Sequence, residues 1–435
     1  MSVAADPKTR SPRTATRLLE GLTGGEYDSS LDAHLARWGA PSDPHTGVLT
    51  MLEESGLSGH GGAYFPVAAK WRAVMGSRQR RTVVIANGAE SEPASSKDGF
   101  LLTRTPHLVL DGLAVVAQTL RATRAIVHVA PASRTAVERA VAERGQMGLD
   151  AIGIEVVEAP DRYLAGQESA VVNRLNGHPV PIPSFVGLRS IRERGVDGRP
   201  TLVQNAETLA HVALIARFGP EWFREVGTHD DPGTLLLTLC VPEGPFVVEA
   251  AYGSLLRRAV GLEERDLSRV RGVLLGGYGG GWVSTAEFAE LAVLEKAARR
   301  LGTTLGAGVV APLPTGVCPL AEMADVVRYM DGQGAGQCGP CVHGLSDLAA
   351  ALERLAYGGP GGPRTDRLLE SCNLVDGRGA CRHPDGVARF VRSGLRVFAD
   401  EVAAHQRRGS CTRTSAPRVL PIPNRVAKRR LVSRA

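Results

Sequence analysis

Apolar residues in the first half of the chain alternate between short continuous runs and helical spacing. The runs predict strands, and they lie at Thr82–Asn87, Ala125–Ala130 and 152–157. Residues 107–120 and 134–144, between the runs, have apolar positions three and four residues apart, which predicts helices. Strands that alternate with helices predict a parallel sheet covered by helices on its faces, that is, an α/β domain.

The pattern changes twice further along the chain. Short β-rich runs such as 234–240 and 246–250 predict a small α+β domain, and helical spacing at 345–356 and 387–405 predicts a helical bundle. The α/β domain is expected to close with a helix over 205–217. The predicted organisation is a disordered arm (1–19), an α/β domain (20–232), an α+β domain (233–318), a helical domain (319–405) and a basic tail (406–435).

Charge is distributed unevenly along the 435 residues, which are 22% charged and carry a formal net charge of +6. Residues 406–435 hold nine Lys and Arg and no acid, whereas the body of the chain is acidic. Nucleic-acid enzymes usually carry their positive charge on the folded domain beside aromatic residues, so we expect no nucleic-acid partner. The tail is either a solvated end or a docking element for an acidic partner or a membrane surface.

The chain has no run near the roughly 20 apolar residues of a membrane-spanning helix, and its start lacks the apolar core of a signal peptide. We therefore expect a cytoplasmic protein with at most peripheral membrane association. Structural disulfides are not expected in a cytoplasmic protein. Four of the seven cysteines fall within 338–381, which indicates a metal or cluster site, whereas Cys240, Cys318 and Cys411 are expected to be buried or incidental.

Two polar segments near the predicted strands are candidates for binding. The first is a glycine-rich loop, Gly56–Pro66, with Lys70 shortly after it. Such a loop lets backbone N–H groups approach a phosphate or a planar ring, and a lysine adds a compact charge, although a loop without a ligand has the same composition. The second is the segment 87–93, which directly follows a strand end, where ligands of parallel sheets bind; it could also be a solvated acidic loop.

Four segments in order resemble one family: the NADH-binding flavoprotein subunit of respiratory complex I (the F subunit of NADH-quinone oxidoreductase) and the diaphorase subunits of NAD-linked hydrogenases and formate dehydrogenases. GLSGHGGAYFP followed by KW is similar to the family's GLRGRGGAGFPTGxKW, and NGAESEP to NADESEPG. RYLAGQESA is similar to YICGEETAL, and PTLVQNAETL to PTTVNNVETL. The resemblance covers about residues 50–400 and implies a Rossmann-like domain, a ubiquitin-like domain and a helical iron–sulfur domain.

The family binds FMN in the glycine-rich pocket, with NADH stacked over it. The resemblance implies that FMN is held by Gly59, Gly61, Gly62, Lys70, Asn87, Glu90, Ser91, Tyr163, Gly166, Val203 and Asn205. It places Phe65, Glu92 and Glu168 toward NADH. His60 replaces a family arginine at what we expect to be an exposed loop position, either as a neutral filler or as a contact for a phosphate or dinucleotide.

Some positions differ from the family, mostly in the NADH half of the site. A family aspartate is Ala89, the first glutamate of a GEE triplet is Gln167, and an aromatic residue that helps to hold NADH is Ala73. The lysine- and phenylalanine-containing KPPFPA segment has no counterpart in 184–195. The flavin half is thus better preserved than the NADH half.

The cysteine region resembles the family's ESCGxCTPCREG cluster motif. Cys338, Cys341 and Cys381 match its second, third and fourth ligands, while Ala335 stands where the first cysteine would be. A [4Fe-4S] cluster is therefore implied, with one iron held by Cys372, water or another group. Zinc on Cys338, Cys341, Cys372 and Cys381, or reduced free thiols, are the alternatives.

The expected reaction passes a hydride from NAD(P)H to FMN and then single electrons through the cluster to a protein acceptor, such as a ferredoxin or another redox subunit. The alternative is a flavin- or zinc-binding scaffold subunit of a redox complex that does not oxidise NADH.

Overall fold

The computed structural model describes residues 16–20, 22, 27–40, 47–77, 81–178, 191–358, 360–409, 411 and 418–423. Most of the predicted arm 1–19 and of the basic tail 406–435 lies outside these ranges, as does the first part of the segment 184–195. The helices are α1 (Leu31–Trp38), α2 (Val48–Ser55), α3 (Val67–Met75), α4 (Lys97–Arg104), α5 (Pro106–Thr119), α6 (Arg134–Gln146), α7 (Glu168–Leu175), α8 (Ala206–Arg224), α9 (Leu256–Ala259), α10 (Thr285–Ala289), α11 (Glu295–Arg300), α12 (Pro319–Gln333), α13 (Leu345–Tyr357), α14 (Thr365–Val375), α15 (His383–Val397) and α16 (Ala399–Arg408).

The strands form two sheets. They are β1 (Thr82–Gly88), β2 (Ala122–Val129), β3 (Ile154–Glu158), β4 (Thr201–Asn205), β5 (Thr234–Val241), β6 (Gly244–Ala251), β7 (Val270–Leu275), β8 (Gly281–Val283) and β9 (Val309–Pro314). The first sheet is parallel with the order β3-β2-β1-β4, which confirms the α/β prediction. Because β2 and β4 flank β1 on opposite sides, the chain changes direction across the sheet there, where ligands of open α/β sheets bind.

The second sheet has the order β6-β5-β9-β7-β8. Strand β5, the first of these along the chain, pairs antiparallel with β6 and parallel with β9, the last along the chain. This is the arrangement expected of a ubiquitin-like domain, so the α+β prediction is confirmed. Its core is separate from that of the parallel sheet and contains Leu237, Val273, Val283 and Phe288, all fully buried.

Two predicted helices differ from the observed ones. The helix expected over 205–217 continues as α8 to Arg224, with a kink at Gly219, whose φ of 87° lets the chain continue into Pro220. The single helix expected over 387–405 is two helices, α15 and α16, separated at Phe398. The Phe398 ring is fully buried and faces the backbone of Gly272 in β7, so packing against the second sheet fixes the break.

None of the individual helices in the described ranges is long and apolar enough to cross a membrane. The pair α4 and α5 passes such a test only when taken together across a 95° bend, and most of α5 is buried in the protein.

Helices α5 and α8 cross closely over one face of the parallel sheet, and Gly112 makes this crossing possible. A Cβ atom at Gly112 would lie 2.0 Å from the backbone oxygen of Leu209. Since that atom belongs to helix backbone, the helices would have to separate to accept a methyl group.

Replacement of Gly112 by alanine should therefore lower the free energy of unfolding by about 1–3 kcal/mol, the usual cost of overpacking a core. Gly145→Ala is a matched control, because a Cβ at this α6 position meets nothing within 4 Å; it should be neutral or stabilising by up to about 1 kcal/mol. Urea denaturation of both variants measures the difference, and equal stabilities would contradict this account of the helix crossing.

Candidate functional site

A large cavity of about 1320 Å³ opens at the carboxyl ends of β1 and β4. Its walls come from three parts of the chain: the parallel sheet with its loops, the loops and helix α11 of the second domain, and the helical bundle, mainly α15. The volume exceeds that of most single-ligand pockets, so it has room for a cofactor and a substrate together. Of the residues predicted to bind cofactor or substrate, those that line it are Gly61, Gly62, Asn87, Glu90, Ser91, Glu92, Tyr163, Gly166, Glu168 and Asn205.

The glycine-rich loop forms one wall of the cavity. The backbone N–H of Gly59 donates to the Phe65 oxygen at 2.9 Å and closes the loop. Gly62 has a φ of 89°, a conformation that glycine adopts without strain. Gly61 and Gly62 thus leave a smooth backbone surface toward the cavity, on which a planar or phosphate group can rest.

His60 is not exposed, contrary to the sequence-based expectation. The side chain is buried, and its Nε2 lies 3.2 Å from the backbone oxygen of Thr234 in β5. Burial and the nearby Lys97 ammonium lower the pKa of His60 to about 3, so the ring is neutral at physiological pH. It brings no positive charge to the cavity, and the following domain holds it in place.

Hydrogen bonds fix the polar side chains at the end of β1 and in the segment that follows it. Asn87 Nδ2 donates to the Gly166 oxygen at 2.7 Å, which joins the second and third binding segments. Glu90 accepts from the backbone N–H groups of Asp98 and Gly99 at 2.9 and 2.6 Å, at the start of α4. Burial and the Asp98 carboxylate nevertheless raise the pKa of Glu90 to about 7.

Glu92 connects the first domain to the second. Its Oε2 accepts from the backbone N–H of Tyr278 at 2.8 Å and from the Tyr163 hydroxyl at 3.1 Å. A Cβ at Gly277 would lie 2.4 Å from the same oxygen, so the loop after β7 must have glycine there. Burial raises the pKa of Glu92 to about 7, although the hydrogen bonds from these donors act to lower it.

The side chain of Gln167, which replaces a glutamate of the family sequence, is suited to bind a ligand. Its carboxamide oxygen is buried in the wall of the cavity and has no hydrogen-bond partner within the described part of the chain. A buried acceptor of this kind is costly unless a donor reaches it. An N–H or O–H group of a bound flavin or ribose supplies such a donor, so the glycine surface and Gln167 together fit FMN or a nucleotide.

Four predicted residues do not line the cavity: Gly59, Phe65, Lys70 and Val203. Lys70 lies behind the wall, where its ammonium group pairs with the Glu168 carboxylate and donates to the backbone oxygen of Val203 at 2.5 Å. Lys70 therefore contacts a residue that lines the cavity, Glu168, without lining the cavity itself. Phe65 is 45% exposed, and the Arg192 guanidinium lies 5.3 Å from its ring centroid.

Several cavity residues were not predicted from the sequence. Lys97, Asp98, Gly306 and the arginines of α15 all line the cavity. Lys97 could have been selected because lysine is rare in this chain. Arg389, Arg392 and Arg396 are spaced by three and four residues and so share one face of α15, but nothing in the sequence indicates that this face meets the first domain.

Three of the four predicted cluster cysteines are close enough to influence one another. Burial and the neighbouring Cys338 and Cys381 thiols together raise the pKa of Cys341 to about 11. Backbone N–H groups of Gly336 and Ala335 donate to the Cys341 sulfur, and that of His383 donates to the Cys381 sulfur. Thiols with N–H donors directed at them fit an iron–sulfur cluster, whose sulfur atoms are usually hydrogen-bonded in this way.

Cys372, the fourth predicted ligand, is fully buried on α14. Burial raises the pKa of its thiol to about 12, and Arg392 and Asp376 are its charged neighbours.

Comparisons with known proteins agree with this site. The family model for the Nuo51 FMN-binding domain matches residues 52–214, and that for the NADH-ubiquinone oxidoreductase-F iron–sulfur binding region matches residues 321–405. In Rhizobium meliloti, the F 2 subunit of NADH-quinone oxidoreductase is 28% identical in an alignment of 388 residues that covers 84% of this chain and 90% of the relative. The F subunit of the Escherichia coli enzyme is 28% identical in an alignment of 391 residues that covers 82% of this chain and 84% of the relative.

A solved structure shows the same likeness. The air-oxidised NAD+-reducing [NiFe]-hydrogenase superposes with a TM-score of 0.73 at 26% identity, over 83% of this chain. The match spans 63% of the hydrogenase chain. The fold, the glycine-lined cavity and the cysteine group thus define a flavin- and iron–sulfur-binding oxidoreductase of the NADH-dehydrogenase type. Over most of its length the chain is similar to NADH-quinone oxidoreductase F subunits, and domain models of that subunit match both its first part and its helical part.

The raised pKa of Glu92 predicts a pH dependence of stability. The carboxyl of the unfolded chain releases its proton near pH 4.5 and that of the folded chain near pH 7. The folded state therefore loses stability as the pH rises through this range, by about 3 kcal/mol if the whole shift is expressed. Glu92→Gln removes the titrating group and should reduce this pH dependence.

Urea denaturation at pH 5, 6, 7 and 8 measures the slope. Glu243→Gln, on the exposed turn between β5 and β6, is the control and should keep the dependence of the unchanged protein. If the slope of Glu92→Gln equals that of this control, the burial of Glu92 does not carry the effect.

Proposed function

We propose that the chain transfers a hydride from NAD(P)H to FMN in the cavity and passes the two electrons one at a time, through an iron–sulfur cluster on Cys338, Cys341 and Cys381, to a protein acceptor. The supporting observation is the position of Cys381 at the start of α15. His383, two residues further on, lines the cavity, and its Nε2 contacts the Met330 oxygen at 2.9 Å. The cysteine group and the cavity therefore share one short segment of the chain.

The FMN half of the site is proposed to consist of the glycine loop, the segment after β1 and the end of β4. FMN supplies the ability to accept two electrons together and release them singly. The chain positions it: Gly61 and Gly62 offer the backbone surface, while Asn87 and Asn205 bring polar groups to the strand ends. Lys70, Gly59 and Val203 act from behind this surface, Lys70 by fixing the orientation of Glu168.

The NADH half is proposed to lie between this surface and α15. Glu92 and Glu168 line the space, and Phe65 lies outside its wall. Arg299, Arg389 and Arg396 reach the same space from the other two domains. Guanidinium groups pair well with phosphate oxygens, so this side suits the pyrophosphate of a dinucleotide. Because Ala73 and Ala89 provide less surface than the family's residues, we expect weak dinucleotide binding.

The proposed domains are those expected from the sequence: the α/β domain 20–232, the ubiquitin-like domain 233–318 and the helical domain 319–405. The acceptor is proposed to be a ferredoxin-like protein or another redox subunit. The basic tail 406–435 supplies charge for its docking, since the described body of the chain between the two ends is acidic.

An anaerobic absorption spectrum, recorded before and after addition of NADH, tests the proposed reaction. Flavin bands with a broad iron–sulfur shoulder should be present, and NADH should bleach the flavin bands. Stopped-flow reduction should saturate only at high NADH concentration, because each aromatic contact missing from the channel removes about 0.5–1.5 kcal/mol of binding. Saturation at low NADH would contradict the proposed weak binding, and intact flavin bands under excess NADH and NADPH would favour the scaffold alternative.

The cluster is expected to gain stability from a cysteine at position 335. The backbone N–H of Ala335 already donates to the Cys341 sulfur, so this position borders the cysteine group. Ala335→Cys should slow the loss of the iron–sulfur absorption in air, whereas Cys381→Ser should abolish or weaken that absorption. Cys240→Ser, in β5, is the control for loss of a thiol. If Cys372 is a ligand instead, Cys372→Ser will match Cys381→Ser, and Ala335→Cys will change little.

A further inference from the structure

A second group of sulfur and nitrogen atoms lies at the edge of the helical bundle and does not line the cavity. Cys318, His405 and Cys411 each present one ligand atom, and these three atoms lie within 4.8 Å of one another. Cys318 Sγ is 3.5 Å from His405 Nε2. No sequence motif connects these residues, because 87 positions separate the first from the second.

The imidazole of His405 is oriented as a metal ligand. Its Nδ1 lies 3.1 Å from the backbone oxygen of Leu355 in α13, which can only accept, so Nδ1 carries the proton. The lone pair of Nε2 therefore points toward Cys318. Histidines that bind metals usually donate their other N–H to a carbonyl or carboxylate in this way.

The sulfur of Cys318 is prepared for a negative charge. Cys318 is fully buried and is the N-cap residue of α12, where the partial positive charge of the helix N-terminus favours a negatively charged sulfur. A metal ion at this position would displace the thiol proton, because thiols that coordinate a metal lose their proton.

We propose that Cys318, His405 and Cys411 bind one zinc ion that is separate from the iron–sulfur cluster. Two thiolates and one imidazole form a donor set that zinc prefers, with the fourth tetrahedral position open to water. Binding exchanges the two thiol protons for the ion, which leaves the site neutral and hence tolerable in the buried interior.

The site would fasten the end of the described chain to the bundle. Cys411 follows α16 directly, after Gly409 turns the chain with a φ of 75°. The segment 418–423 lies on α12, where the backbone N–H groups of Val419 and Leu420 each donate to Glu322 at 3.1 Å. Coordination of zinc by Cys411 would attach the chain to the bundle a few residues before this segment.

Metal analysis of the anaerobically purified full-length chain tests the proposal. One zinc per chain should accompany the iron. Cys411→Ser, which lies beyond the last helix and so spares the bundle, should remove the zinc and leave iron and sulfide unchanged. Cys341→Ser is the matched control and should have the opposite effect, loss of iron with zinc retained. Zinc that persists in Cys411→Ser, or is absent from the unchanged protein, would overturn the proposal.

Two measurements keep the result independent of folding defects in the variants. Zinc X-ray absorption on the unchanged protein should show sulfur neighbours at about 2.3 Å and nitrogen at about 2.0 Å, and a shell of oxygen and nitrogen alone would contradict the site. Thiol alkylation should modify Cys318 and Cys411 after zinc is removed by a chelator. A disulfide between them in zinc-free protein would show a redox pair in place of a metal site.

Discussion

The buried ammonium group of Lys97 is the charge around which the cavity is built. Lys97 Nζ lies 2.8 Å from Asp98 Oδ1 and 2.8 Å from Glu207 Oε2, and all three side chains are at least nine-tenths buried. Burial lowers the pKa of Lys97, but the two carboxylates outweigh burial and raise it, so the group stays charged. A buried ion of this kind must keep its partners. Each partner also holds another part of the site: Asp98 accepts from Asn205 Nδ2 at 2.7 Å, and Glu207 accepts from the Leu236 backbone N–H at 2.7 Å.

Local periodicity was sufficient to predict the α/β and helical parts of the fold. The continuous apolar runs at β1 and β2, with a helical pattern between them, are typical of parallel strands joined by crossover helices. The errors fall where tertiary packing outweighs local pattern. Phe398 continues the helical spacing of its neighbours, yet contact with Gly272 ends α15 there. Gly219 and Pro220 suggest an end to α8, but the helix resumes after the kink.

The binding residues were predictable only where they form a contiguous motif. Gly61, Asn87 and Glu92 belong to such motifs, and they line the cavity. Lys70 also belongs to such a motif, but it lies behind the wall, because its ammonium group pairs with the Glu168 carboxylate there. Gly306 and Arg389 come from distant segments that carry no motif, and only the packing of the three domains brings them to the site. His60 was expected in solvent because its neighbours are glycines, yet β5 covers it.

The assembly of the FMN surface from separate segments makes flavin content part of the measured stability of this protein. Because only folding brings the glycine loop, the segment after β1 and the end of β4 together, the cofactor binds the folded chain and not the unfolded one. At a free concentration 1,000 times its dissociation constant, such a ligand adds about 4 kcal/mol to the free energy of unfolding. A preparation with partial flavin occupancy and slow exchange would therefore melt in two steps, and the ratio of their amplitudes would report the fraction of molecules that had kept the cofactor.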